Sequence, residues 1–150
     1  MKYRIADSND CPMLAAWNHQ LIQEEGHRNP MTVAQLEQRM REWLSNGEYQ
    51  AILFDEHDET VAYALFRETE KEIYLRQFFV VTHRRREGIG RHAIKQLFTA
   101  CWPKNKRWIV DVLAQNQTAI SFWRAMGYTD YALTLEIMPE KHEKTSKPGD

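Results

Sequence analysis

Arg85-Arg86-Glu87-Gly88-Ile89-Gly90 is the stretch that decides the fold. It follows the apolar run Ile73 to Val81 and opens a helical pattern, Arg91 to Cys101. Two glycines around one apolar residue let a backbone pass close to a ligand. A helix start adds unpaired N–H groups and the positive end of a dipole, both of which favour a phosphate. The stretch therefore reads as a phosphate cradle between a strand and a helix.

Working outward, the pattern alternates helices and strands without strict repetition. Lys2 to Ala6 is a short first strand. Asp7 to Asp10 offers helix caps, and Pro12 suits a first helical turn. Leu14, Trp17 and Leu21 recur at helical spacing until Gly26 and Pro30 interrupt them. Thr32-Val33-Ala34-Gln35 is a capping box, and Leu36, Met40, Trp43 and Leu44 form the stripe of a second helix that Asn46-Gly47 ends. Tyr49 to Phe54 and Thr60 to Phe66 read as a hairpin around the polar stretch 55–59, and Ile73 to Val81 as a longer strand. Trp108 to Leu113 is nearly all apolar, which predicts a central strand buried on both faces. Asn116 caps a last helix that Gly127 ends, and Tyr128 to Ile137 reads as one or two final strands. The expected class is α+β with a mixed sheet. One domain over residues 1–139 is expected, with a charged tail, 140–150, too polar to fold.

The bulk numbers exclude several classes. With 150 residues, 43% of them hydrophobic and 27% charged, the chain has enough material for one core. A net charge of −1 argues against a general nucleic-acid or membrane-surface binder. No run approaches the ~20 apolar residues of a membrane span. The start, Met1 to Asp7, lacks a signal peptide's apolar segment, so a cytoplasmic location is expected. Cys11 and Cys101 have no metal-ligand spacing, so no metal is expected.

Two phosphate-binding readings fail on spacing. Gly88-Ile89-Gly90-Arg91-His92-Ala93 fits a dinucleotide fingerprint, but six polar residues separate it from Val81, and Asp111 stands within the next strand rather than at its end. No G-x-x-x-x-G-K-[ST] run exists. The arrangement Arg85-x-x-Gly88-x-Gly90 after a strand resembles the signature of the GNAT N-acetyltransferase superfamily. Asn116-x-x-Ala119-x-x-Phe122-Trp123-x-x-x-Gly127-Tyr128 is similar to that family's later motif, at the family's usual separation.

The resemblance implies a GNAT-like fold, with the sheet splayed between its fourth and fifth strands. It also implies an acetyl-CoA-dependent N-acetyltransferase acting on a primary amine of a small molecule or a protein. Acetyl-CoA would lie against the amides of Arg86, Glu87, Gly88, Ile89, Gly90 and Arg91, with Arg85 opening the loop. Phe79 and Val80 would offer backbone groups, Val80 N–H serving the thioester oxygen, and Asn116 and Trp123 would touch the cofactor. The guanidiniums of Arg84 and Arg86 would steer the anion in. Trp123 stands where the family carries a tyrosine acid, and an indole donates a hydrogen bond without yielding a proton. Tyr128 is a nearby replacement. Tyr74 stands where some members carry a glutamate base; strand alternation puts Tyr74, Arg76 and Phe78 on one face, with Glu72 beside them. Glu24, Glu25 and His27, in the link between the first two helices, would meet the amine. Many relatives are dimers, so a homodimer is left open. The missing acid motivates a second reading, a non-catalytic acyl-CoA sensor on the same fold.

Overall fold

The computed structural model describes residues 1–139; the tail 140–150 lies outside them. Its five-stranded sheet runs in sequence order: β1 (Lys2–Ile5), β2 (Gln50–Glu56), β3 (Glu59–Glu68), β4 (Glu72–Val80) and β5 (Arg107–Val110). The first three pairings are antiparallel and β4–β5 is parallel, so the sheet is mixed, as the sequence predicts. Helices α1 (Cys11–Glu25) and α2 (Val33–Asn46) cover one face. Helix α3 (Ile89–Gln96) packs on the other, and continues as one π-helical turn, Leu97–Cys101. Helix α4 (Gln117–Ala125) lies beside it, with Phe122 near Gly90.

Local chemistry sets these boundaries. Thr32 Oγ1 accepts from the Gln35 amide at 3.2 Å and Gln35 Oε1 from the Thr32 amide at 2.9 Å, closing the expected capping box. The β2–β3 hairpin is tighter than the sequence reading. Its strands run through the polar stretch to a two-residue turn at His57 and Asp58, both left-handed, which matches the twist of the flanking strands.

A bulge re-aims β4. Leu65 opposes Gln77 and Phe66 opposes Leu75, so Arg76 is an extra residue on β4. Simple alternation is thereby overturned. Tyr74 lies opposite Arg67, on the face that carries Gln77 and Phe79 toward α1 and α2, while Phe78 turns toward α3 and α4.

Two strand expectations fail. Trp108 to Leu113 is not a central strand: only Arg107–Val110 pairs, at the sheet edge, and the run is half-buried. Tyr128 to Ile137 forms no strand and stands exposed beyond Tyr128. Both have one physical cause. A strand needs a neighbour to accept its backbone groups, and among the described residues neither run has one on its outer side. The core fills both sides of β2–β4: Leu14, Leu36, Met40, Leu53, Tyr63 and Phe79 are fully enclosed on the α1–α2 side, and Phe54, Ile94 and Leu97 on the α3 side.

Candidate active site

The site grows from the place where β4 and β5 part. Their pairing stops at Leu75–Val110, and β4 continues alone to Val80. The Val81 amide donates to Val61 O at 2.9 Å, so by alternation the N–H and C=O of Val80 face away from β3, into the gap. Arg85 Nε donates to Val80 O at 2.9 Å, leaving the Val80 N–H free to donate. Phe79 has its backbone turned to β3 and its ring stacked on Trp17, with the Arg85 guanidinium 5.3 Å from the ring centroid.

Beyond Val81 the chain makes a short turn, Thr82–Arg84, and enters the glycine loop. Arg86 and Gly88 are both left-handed, at φ 66° and 80°, and Gly88 caps α3. Among the described residues no protein acceptor meets the amides of Arg86 through Arg91. Six consecutive donors at a helix start are thus left unpaired, and such donors suit an anion. Gly90 packs against Phe78, Val80 and Phe122, which seats α3 on the free end of β4.

The surrounding charges act differently from the sequence reading. Arg84 is only 17% exposed and is held by Glu56 and Glu87, so it organises the loop instead of steering an anion. Glu24 forms two 2.8 Å bonds to Arg85, and this hydrogen bonding to the guanidinium holds its carboxyl below the ordinary value. Glu24 thus fastens the end of α1 to the loop, and Gln20 adds a second tie to Thr82 at 2.8 Å.

A cleft along the β5 side of the gap is lined by Glu25, His27, Asp111, Asn116 and Trp123. Glu25 and His27 pair at 3.1 Å. Asn116 Oδ1 accepts from the Ala119 amide at 3.1 Å, so its carbonyl caps α4. Trp123 sits edge-on to Phe78 and Phe122. Tyr128 packs on Phe98 and Trp123 with its hydroxyl enclosed and unpartnered, and burial pushes its pKa up. Glu72 lies three residues before the end of the β4–β5 pairing and meets Arg107 at 3.3 Å. Tyr74 is half-buried; burial first, then the facing Asp111 carboxylate, raises its pKa.

Sequence reading passed over two features. Asp111, expected within the strand, instead follows β5 directly because the strand stops at Val110, and it joins Glu25 and His27 in one cleft; an acid inside an apolar run was its signal. A second group combines Arg39, Arg67 and Arg76 with Trp43, Tyr49 and Tyr74. Arg39 and Arg76 stack on Trp43 at 4.4 and 4.8 Å, and Arg67 on Tyr49 and Tyr74 at 5.4 and 5.5 Å. None of the three guanidiniums meets a carboxylate among the described residues. Burial and then Arg76 lower the Arg39 pKa, and its Nε has no partner. These residues come from α2, β3, β4 and the link before β2, so no spacing in the sequence announces them. No three metal-ligating side chains converge among the described residues.

Residues 13–128 match the acetyltransferase (GNAT) family model. The chain belongs to that family. Nothing among curated proteins matches it. Solved structures share its fold at low identity. A mutant of the BH1408 protein from Bacillus halodurans superposes with TM-score 0.75 at 20% identity, covering 92% of this chain and 99% of that one. A possible acetyltransferase from Clostridium difficile 630 gives 0.77 at 16%, covering 91% and 97%. A predicted acetyltransferase from Clostridium acetobutylicum, solved with acetyl-CoA, gives 0.68 at 16%, covering 94% and 97%.

Proposed function

We propose that this chain transfers the acetyl group of acetyl-CoA to a primary amine of a small molecule or protein. The observation that carries the reading is the run of six unpaired amides, Arg86 to Arg91, beside a gap whose wall offers one free N–H at Val80. A hydrogen bond to a charged group is worth about 1.5–3 kcal/mol, so several aimed at one diphosphate outweigh any exposed ion pair there. Acetyl-CoA supplies an activated thioester.

The chain's own residues do the rest. Val80 N–H, turned into the gap, is the donor for the thioester oxygen and stabilises charge that develops on it. The attacking amine must first lose a proton, because an alkylammonium has a pKa near ~10. Asp111 and the Glu25–His27 pair, all lining the cleft, are the acceptors for that proton. No acid is required for departure, since a thiol of pKa ~8.5 leaves as thiolate.

The acceptor carries an anionic group besides its amine. Arg76 is the first β4 residue past the β4–β5 pairing, and it gathers with Arg39 and Arg67 around Trp43 and Tyr49 with no carboxylate among the described residues to balance them. A carboxylate or phosphate on the acceptor supplies that balance.

Calorimetry with acetyl-CoA and CoA release across an amine panel test the proposal. Binding is expected, with turnover at least tenfold better in kcat/KM for amines bearing a carboxylate or phosphate, a preference lost in Arg76→Leu. Gly88→Glu puts a side chain at φ 80° and a negative charge in the cradle, and abolishes binding. Absence of heat and of any thermal shift at millimolar acetyl-CoA overturns the reading. Binding without CoA release assigns the chain to the acyl-CoA sensor class.

A further inference from the structure

Neighbours on a regular strand point to opposite faces, and the extra residue in β4 breaks that rule for Arg76 and Gln77. Gln77 lies on the α1–α2 side, bonded to Tyr63, whose ring stacks on Trp17. Arg76 turns to the same side, where it meets Trp43 and Tyr49. A guanidinium and a carboxamide thus stand next to each other on one wall, at the start of the stretch of β4 that β5 leaves free.

The carboxamide is held in one orientation. The Tyr63 hydroxyl is fully buried and donates to Gln77 Oε1 at 2.9 Å. Burial, above all, raises the Tyr63 pKa, so that proton stays in place. Among the described residues the hydroxyl has no other acceptor, and a flipped amide would strand its proton in the core. Gln77 Oε1 is therefore committed to Tyr63. Nε2, turned away from it, meets no acceptor among the described residues and has N–H donors to offer. Gln77 keeps 8% of its surface exposed, so the amide is recessed but reachable. Arg76 has donors left as well: Nη1 donates to the Tyr49 hydroxyl at 3.2 Å, and no carboxylate among the described residues meets the guanidinium.

Charges of both signs flank this pair. After burial, the Glu25 carboxylate raises the Tyr63 pKa further while Arg39 lowers it, so both groups act on the hydroxyl that holds Gln77. Glu25 belongs with Asp111 to the cleft, and Arg39 stacks with Arg76 on Trp43.

We propose that Arg76 and Gln77 together hold the acid group of the acceptor, a carboxylate or a phosphate, and so select a short amino acid. The placing of the amine rests on the acetyl-transfer reading given above. An acid accepts from the guanidinium and the amide at once, whereas a second ammonium would meet only donors and a like charge. The strand limits the length. Gln77 and Val80 are three residues apart, about 10 Å along β4. Extended backbone covers about 3.3–3.6 Å per residue, so about three residues of it at most separate the amine from the acid. A recessed amide also suits a free molecule better than the surface of a folded protein. The acceptor is thus a free amino acid, a short peptide or an aminoalkyl phosphate, and not a polyamine.

Calorimetry and CoA release with β-alanine, aminoethyl phosphate and propylamine test the pair. β-Alanine and propylamine share one chain length and differ in the acid. Heat is expected from the two acids and not from propylamine, with the stronger acid naming the group preferred. The acids should lead in kcat/KM by about tenfold to a hundredfold, the range of one hydrogen bond to a charged group. Gln77→Glu keeps an oxygen for the Tyr63 hydroxyl but replaces the N–H donors by negative charge, and should abolish both the heat and the preference. Gln77→Met, uncharged and of similar length, should cut the preference about tenfold where the added charge disturbs folding. Tyr63→Phe frees the amide to turn, and should raise the β-alanine KM by more than it lowers kcat, as expected of a positioning residue. No heat from either acid, a preference that survives Gln77→Glu, or an equal loss for propylamine overturns the proposal. Acid binding that Gln77→Glu abolishes, without CoA release from any amine, supports the pair and removes the transfer reading instead.

Discussion

The first hundred residues and the last forty of the described chain are built to different standards. Up to Trp102 the protein has a dense two-layer core, with Leu14, Phe54, Tyr63, Leu65 and Ile94 fully enclosed. From residue 103 to 139, only Trp123 is buried among the described residues. Composition does not account for this, because the later part is rich in Trp, Val, Leu, Ile and Phe. What differs is the supply of neighbours. The early strands are each paired on the sides that matter, whereas β5 and the segment after α4 face outward. The contrast teaches that an apolar run becomes a core strand only through the neighbours that cover it.

The contrast can be broken at three strengths. Phe54→Ala removes a fully buried ring from β2 and is expected to cost about 3–5 kcal/mol, read from urea unfolding. The truncation Leu133→Ala, made in the exposed segment, is expected to shift the midpoint by no more than about 0.5 kcal/mol. A loss of several kcal/mol for Leu133→Ala would erase the distinction between the two regions.

A smaller effect tests how the early region is tied together. Arg4 donates two bonds to Asp10, at 3.0 and 2.9 Å, and the Asp7 amide a third at 2.8 Å. The Arg4 hydrogen bonds, above all, hold the Asp10 carboxyl below the ordinary carboxylate value. Asp10→Asn is expected to cost about 1–3 kcal/mol. The sign with pH follows from the lowered folded value: the stabilisation is whole above the unfolded pKa of ~3.9 and is lost as pH falls through the folded one. Unfolding midpoints of wild type and Asp10→Asn should therefore converge in acid. Midpoints that stay equally far apart down to acid pH would exclude the ion pair as the cause.

The smallest effect lies at the loop. Arg86 is left-handed without being glycine, a conformation that costs of order 1 kcal/mol. Arg86→Gly is expected to raise the melting temperature slightly while leaving the amide cradle in place. A lower melting temperature would mean that the side chain contributes more than its backbone strain takes away.

The glycine turn and the helix start were legible in the sequence because both are local features: Gly88 is left-handed at the start of α3, and the amides from Arg86 to Arg91 are unpaired among the described residues. It also marked the caps at Thr32 and Asn116, whose hydrogen bonds span three residues. It could not show that Glu24 clasps Arg85, sixty-one positions away, or that Arg84 is tied to Glu56. Nor could alternation foresee the bulge at Arg76, since one extra residue turns every side chain before it to the other face.

By itself, then, the sequence determined the order of helices and strands from β1 through α4, the α+β class, and the family to which the two motifs belong. Those depend on hydrophobic period, capping and turn chemistry, all interactions between near neighbours along the chain. Tertiary structure alone decided which charges are engaged, which face Tyr74 looks toward, and that the apolar run after Arg107 stands at an edge. These depend on which distant segments come to lie side by side, and contacts between distant segments leave no periodic trace in the sequence.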